Sequence, residues 1–375
     1  AFHHSCMKHN TLYTISTIML LLAGCQTTKV GPRALKTSHR AYSQALGSSF
    51  DEALLTNIVR LRYRDNPIFV EYNTITQNTK ASGGFSLDFS KTFLGKPSGG
   101  NYVGTSKAAG SISGEDGSTI VLKPLTDAEF IRKLMTSIQV PIVVSMIQSG
   151  WRADRIFNLC IERVNNLYNA PTASGPTPAY APEYKKFYRF TEILRTLQRN
   201  DLINFGEQPS VNFASLMLGI VPAPAFDKEI REFKSLANLD PNSNLFKFMS
   251  NFLEMGPKKL TLRTRSLLGI LYFLSQGVEV PASDEQAGLV TVTKNLDGSK
   301  FDWNLISTRF LTVKCCTTKL KPADAYVACY YRNKWFYIAD NDLESKTSFM
   351  LLNQIFTLQA SRFSKTEPVL VLSGN

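Results

Sequence analysis

Apolar and polar positions recur along this chain with two different periods, and each change of period marks an expected element. Ser49-Phe-Asp-Glu52 reads as a capping box, in which Ser49 and Glu52 satisfy each other's backbone donors. Phe50, Ala53, Leu54, Ile58 and Leu61 then recur at helical spacing until Asp65-Asn66-Pro67 stops the run. "IFVEYNTIT" after it predicts a strand. From Lys80 to Ser118 the composition shifts: nine of the chain's 22 glycines fall there, and Phe85, Leu87 and Phe89 alternate with small or polar residues. This stretch predicts a long Gly-punctuated β hairpin or meander, weakly specified in register and able to pair with another chain. A flexible surface insertion is the alternative.

Thr126-Asp-Ala-Glu129 is a second capping box, opening a helix through Phe130, Ile131 and Leu134. "VPIVVSMIQSGW" predicts a short buried helix, and 152–169 an amphipathic one with Ile156, Phe157, Cys160, Ile161 and Val164 on one face. Prolines 171, 176, 178 and 182 predict a linker. Past it, Tyr184, Phe187, Tyr188, Leu194 and Leu197 form the inward stripe of another helix. In the second half "SVNFASLMLGIV" and "KKLTLRTR" read as strands, and "YYRNKWFYI" as a hairpin. Helices are expected near 227–237 and 243–254, over "SLLGILYFLSQG", and from the box Asn341-Asp-Leu-Glu344 to about Ala360. "PVLVL" closes the chain as a strand. No regular βαβ rhythm emerges, so the expected class is α+β, mixed short strands and amphipathic helices with a Gly-rich β-hairpin insertion. The expected organisation is an N-terminal α+β lobe over 49–170 with the insertion at 80–118, a Pro-rich linker over 171–182, and a C-terminal α+β lobe over 183–375.

The N-terminal region sets the address. The apolar run from Leu12 to Ala23 is too short for a transmembrane helix, which needs about 20 apolar residues. It has the length of a secretory signal core, with Lys8 as the positive flank. Leu22-Ala23-Gly24-Cys25 resembles the lipobox of bacterial lipoproteins, placed at the right distance from Met7. That resemblance implies lipidation of Cys25, and Gln26 after it implies delivery to the outer membrane. Residues 1–24 are then a spurious leader (1–6, before Met7) plus a signal peptide, and 25–48 a tether. "LLTNIVRLRYRDNPIFVE", "IQSGWRADRIFNLCIERVNNLYN", "RSLLGILYFLSQGVEVP" and "DNDLESKTSFMLLNQIFTLQA" resemble segments of an uncharacterised family of Gram-negative bacterial lipoproteins. The family brings no known activity. It implies a lipid-anchored protein facing the periplasm.

The net charge of +12 then changes meaning, because only Lys8 contributes to it before Cys25. In an exported protein a basic body points to anionic lipids or cell-wall glycan as partners and away from nucleic acid, unless the charge serves only solubility. The best candidate is "GPKKLTLRTRS": in a strand Leu260 and Leu262 face inward while Lys259, Thr261, Arg263 and Arg265 face out, with Lys258 adjacent. These cations suit phosphate or carboxylate groups; the plain alternative is a solvated strand face. Disulfides persist outside the cytoplasm, and strand alternation makes Cys315–Cys329 the preferred pair, with Cys316 pointing away and a vicinal Cys315–Cys316 bridge as the alternative. Cys160 reads as a buried core residue.

The strongest inference about chemistry is negative. His39 is the only histidine after Cys25, and it lies in the expected tether, so a Ser-His-Asp or Cys-His device is poorly served. No His-based or CxxC zinc pattern, phosphate loop or nucleophile elbow occurs, and neither a metal nor a cofactor is expected. Carboxylates remain for glycoside chemistry, with Asp201, Glu207, Asp240, Glu254, Asp324, Asp340 and Asp342 all conceivable and no pair singled out. The expected function is a non-enzymatic assembly, scaffolding or binding component, forming a homo- or hetero-oligomer. A carboxylate-dependent cell-wall glycan enzyme and a subunit of an outer-membrane secretion or pore assembly are the alternatives.

Overall fold

The computed structural model describes residues 32–86, 109–125, 128–208, 215–307 and 309–360, and among them Pro32 opens the first helix. Helix α1 runs Pro32–Arg62. The expected tether over 25–48 and the helix start at Ser49 therefore both give way from residue 32 onward. Ala34, Leu35, Lys36, Gln44, Ala45 and Leu46 are good helix formers, and the lone Gly47 costs only ~1 kcal/mol. Cys25 and the signal segment lie outside the described residues, as does "PVLVL".

Contacts divide the chain into two units, residues 1–47 with 70–124 and residues 48–69 with 125–375. The first unit holds a two-stranded antiparallel ribbon, β1 (Val70–Ser86) and β2 (Ala109–Pro124). Its register runs from Val70↔Pro124 to Ser86↔Ala109 with one irregularity between Tyr72 and Thr74. The expected hairpin thus exists and starts ten residues earlier than the glycine-rich stretch; residues 87–108 between its strands are outside the described residues.

The second unit takes the C-terminal part of α1 and, after the ribbon, continues with α2 (Ala128–Met135), α3 (Val140–Gln148), α4 (Ala153–Cys160), β3 (Ile161–Val164) and β4 (Leu167–Tyr168). It continues through α5 (Lys185–Arg199), β5 (Ile203–Gln208), β6 (Ser215–Ile220), α6 (Asp227–Leu236), β7 (Leu245–Met249) and β8 (Lys259–Thr264). Last come α7 (Leu267–Ser275), α8 (Ala282–Gln286), α9 (Asn304–Ser307), β9 (Lys314–Cys316), β10 (Ala325–Tyr331), β11 (Lys334–Ala339) and α10 (Leu343–Ala360). Six strands form one sheet in the order β4-β3-β8-β7-β6-β5, antiparallel except for β7 against β8. Three more form the sheet β10-β11-β9. The fold is α+β.

Helix α5 shows how the core is built. Phe187, Phe190, Ile193, Leu194 and Leu197 recur at three- and four-residue spacing and are buried, and Phe190 stacks on Phe233 of α6 with centroids 4.4 Å apart. Helix α7 is apolar on nearly all sides and buries Leu267, Ile270, Leu271, Phe273 and Leu274; its cap is Ser266, whose hydroxyl accepts from Gly269 N at 3.0 Å. Helix α10 is capped by Asp342, which accepts from Ser345 N at 3.0 Å, one position after the expected Asn341.

Three expectations need correction. The helix over 152–169 stops at Cys160 and becomes β3 and β4, joined by Asn165 at φ 46°. Residues 243–254 form β7 and a 3₁₀ turn, because Leu245 and Lys247 are exposed while Phe246 and Phe248 are buried, a period of two. The Pro-rich stretch 171–182 is not a linker between lobes. Ala173 and Thr177 are buried, Thr177 accepts from Arg62, and the six-stranded sheet takes strands from both sides of the stretch.

Candidate functional site

Arg265 is the plainest departure from the expected anion-binding stripe. Strand β8 ends at Thr264, so alternation no longer governs the next residue. Arg265 is 1% exposed. Its Nη1 donates to the carbonyls of Asn158 (2.9 Å), Leu159 (3.3 Å) and Ile161 (3.0 Å), Nη2 donates to Asn169 O, and Nε donates to Ser174 Oγ at 2.9 Å. The guanidinium also sits 4.0 Å from the Phe273 ring centroid. It thus gathers the orphan carbonyls at the negative end of α4, which explains where that helix stops. Burial pushes its pKa down to about 10. It is a structural cap, closed to any ligand.

The remaining cations of the stripe each have a carboxylate within reach. Lys258 lies 4.0 Å from Asp240, Lys259 3.9 Å from Glu254, and Arg263 3.8 Å from Glu162. Lys258 and Arg263 are exposed, Lys259 half-buried, and Thr261, expected to face out, is buried. Each of these three cations therefore stands near the outer limit of ion-pair distance from an acid.

The preferred disulfide is also absent. Cys315 on β9 and Cys329 on β10 both stand opposite Phe336 of β11, one on each side of that central strand. Two strand spacings separate them by roughly 10 Å, beyond the 7 Å limit for bridging Cα atoms. Cys160, Cys315, Cys316 and Cys329 are all free thiols. Burial raises Cys160 and Cys329 to about 12 and Cys315 to about 11, away from the thiolate form that reacts. Cys160 is a core residue, as expected.

No family model, curated protein or solved structure matches this chain. Function must therefore be argued from its own cavities and surfaces. Among the described residues no group of three His, Cys, Asp or Glu side chains could hold a metal, and no helix is long and apolar enough to cross a membrane.

One cavity of about 270 Å³ gathers three acids, Asp154, Glu192 and Glu344. Each faces an arginine: Arg152 on Asp154 at 2.7 Å, Arg309 on Glu192 at 2.9 Å, and Arg155 on Glu344. Arg155 is buried and also donates to Glu344 O (2.8 Å) and Ser348 Oγ (2.6 Å), tying α4 to α10. An acid–base pair for glycoside chemistry needs a proton donor and a free carboxylate, and this ion-paired cluster is built as a brace. Of the acids weighed from sequence, Asp340 pairs with Lys346 at 2.6 Å, Asp342 caps α10, and Asp240 and Glu254 stand beside Lys258 and Lys259.

A second cavity, of about 370 Å³, opens beside the C-terminal end of α1 and the end of α7. Arg62 and Gln276 line it together with Glu279, Glu285, Lys300, Asp302 and the aromatic pair Phe301 and Trp303. Arg62 is 5% exposed. Nη1 donates to Thr177 Oγ1 at 3.1 Å and Thr291 O at 3.4 Å. Sequence reasoning passed over this residue, yet a signal was present: Arg62 follows Ile58 by four and Leu55 by seven, so it falls on the apolar stripe of α1.

Proposed function

We propose that this chain is a lipid-anchored, non-enzymatic component of the Gram-negative outer membrane, facing the periplasm, that works by assembly. The β1–β2 ribbon is its assembly arm, and the partner is a second copy of the chain. The observation that carries this reading is the ribbon's pairing. Sixteen registered residue pairs make a ladder about 55 Å long, and among the described residues neither outer edge is paired. A two-stranded ribbon alone is marginal in water, and open edges are templates for further strands. Copies lying side by side satisfy both needs.

The composition along the ladder favours one form of that assembly, a closed ring of ribbons serving as an outer-membrane pore or secretion subunit. Ile75↔Ile120, Gly83↔Ile112 and Phe85↔Gly110 share one parity and Thr76↔Thr119, Lys80↔Glu115 and Ser82↔Ser113 the other, with the polar rungs Gln77↔Ser118 and Thr79↔Asp116 interrupting the apolar row. Where apolar and polar rungs do alternate, a strand can face lipid on one side and water on the other, and about 10 residues suffice to span the hydrocarbon. Closure also removes every edge.

The test is the mass of the full-length, lipidated protein extracted in detergent, beside a variant lacking residues 80–118. A multiple of the protomer mass that collapses to a monomer in the variant is the expected result. A strictly monomeric full-length protein ends the assembly reading.

A further inference from the structure

Two side chains that line the Arg62 cavity each carry a buried polar atom without a partner, one a donor and one an acceptor. Nε of Arg62 is buried without a hydrogen-bond partner, and both of the guanidinium's hydrogen bonds leave from Nη1. Oε1 of Gln276 is likewise buried without a partner, while its Nε2 donates to Tyr272 O (3.1 Å) and Thr177 Oγ1 (3.2 Å). Thr177 accepts from both side chains and so fixes them relative to each other. Buried polar groups without partners are rare and costly, on the order of 1–3 kcal/mol each, and two of them on residues lining one cavity point to an occupant.

The charges around the cavity narrow the chemistry. Arg62 has no carboxylate within ion-pair distance among the described residues, whereas Lys300 on the wall is held by Glu285 at 2.7 Å. Glu279 accepts from Cys315 N at 3.2 Å, and Asp302 accepts from Asn304 N at 2.9 Å, each through one oxygen. Two cations and three carboxylates therefore line the cavity. A multiply charged anion such as phosphate would meet Arg62 and be repelled by the acids. A carboxylate carried on a molecule that also bears an ammonium group matches both.

We propose that this cavity is a binding site for a small zwitterion of amino-acid or short-peptide size. Its carboxylate takes the free Nε edge of Arg62, and its ammonium donates to Gln276 Oε1 with Glu279 as counter-charge. Phe301 and Trp303 supply the apolar wall. At about 370 Å³ the space lies at the small end of ligand cavities. The site belongs to the larger unit alone and does not depend on assembly through the ribbon.

The experiment is calorimetric titration of the full-length, detergent-extracted protein with the common α-amino acids and with alanyl-alanine. The best binder is then repeated as its N-acetyl and its C-amide form, with acetate and inorganic phosphate alongside. Saturable binding of a zwitterion that weakens at least about tenfold on masking either end supports the site. Glu279→Gln keeps an acceptor for Cys315 N and should weaken the same ligand without lowering the melting temperature. Arg62→Gln should abolish binding, and its melting curve shows whether the unit still folds. The proposal is overturned if no probe binds saturably below about 10 mM, which leaves water as the occupant. It is equally overturned if acetate or phosphate binds as well as the zwitterion, or if Glu279→Gln stays folded and binds unchanged.

Discussion

Gly277→Ala is the sharpest test of how the larger unit is held. Gly277 follows the end of α7 at the point where the chain passes the segment Leu311–Val313. A Cβ built there would fall well inside contact distance of the Leu311 carbonyl oxygen and 3.1 Å from its carbon. Both are backbone atoms, so no rotamer change relieves the clash. The segment would have to retreat by roughly 1 Å to reach ordinary van der Waals contact. Two hydrogen bonds resist, Val313 N to Gly277 O and Glu279 N to Val313 O, both 2.9 Å. Overpacking against unyielding structure costs about 1–3 kcal/mol, and straining two hydrogen bonds adds up to about 1 kcal/mol each. The expected loss is about 3 kcal/mol. Urea unfolding followed by tryptophan fluorescence reads it, since all three tryptophans lie in this unit. At a slope of about 3 kcal/mol/M the midpoint should fall by about 1 M. Gly206→Ala is the control, because nothing lies within 4 Å of its added Cβ. A Gly277→Ala midpoint within about 0.3 M of the parent would refute the reasoning.

Arg265→Met should cost about 3–5 kcal/mol by leaving buried carbonyls unpaired, whereas Arg263→Met on the exposed side of the same strand end should stay within about 1 kcal/mol; equal effects in urea unfolding would return both to the surface. Non-reducing denatured mass spectrometry after alkylation should find Cys160, Cys315, Cys316 and Cys329 all modified, with no gain after reduction. Asp65 has its pKa lowered from 3.8, first by the hydrogen bond from Tyr331 and also by Arg332. Its contribution to stability is therefore complete above the ordinary carboxylate value and is lost as pH falls through the depressed one. Asp65→Asn should lower stability at neutral pH and flatten the acid limb below about pH 4, and parallel pH–stability curves for parent and variant would contradict the assignment.

What the sequence could reveal tracks how local each determinant is. Helix α5 is legible because its stripe of Phe187, Phe190, Ile193, Leu194 and Leu197 repeats within a few turns. The ribbon is legible in part: composition marks 80–118, and the strand pattern of "IFVEYNTIT" marks the start of β1. The end of α4 is not, because the group that terminates it, Arg265, lies 106 positions beyond Leu159. The same distance effect hid Arg265 itself, which alternation assigns to the surface while the strand stops one residue short of it. Cys315 and Cys329 share a face as expected, but only the sheet order places β11 between them. Of the Arg62 cavity, one residue left a trace: an arginine on an otherwise apolar helical stripe.

The ribbon enters and leaves the larger unit at neighbouring points, with Leu125 N donating to Phe69 O at 2.9 Å. Residues 70–124 are therefore a loop-out whose two stumps already touch. Lineages could lengthen, shorten or swap such a cassette without disturbing the framework that carries it, and an engineer could graft a foreign hairpin at the same joint.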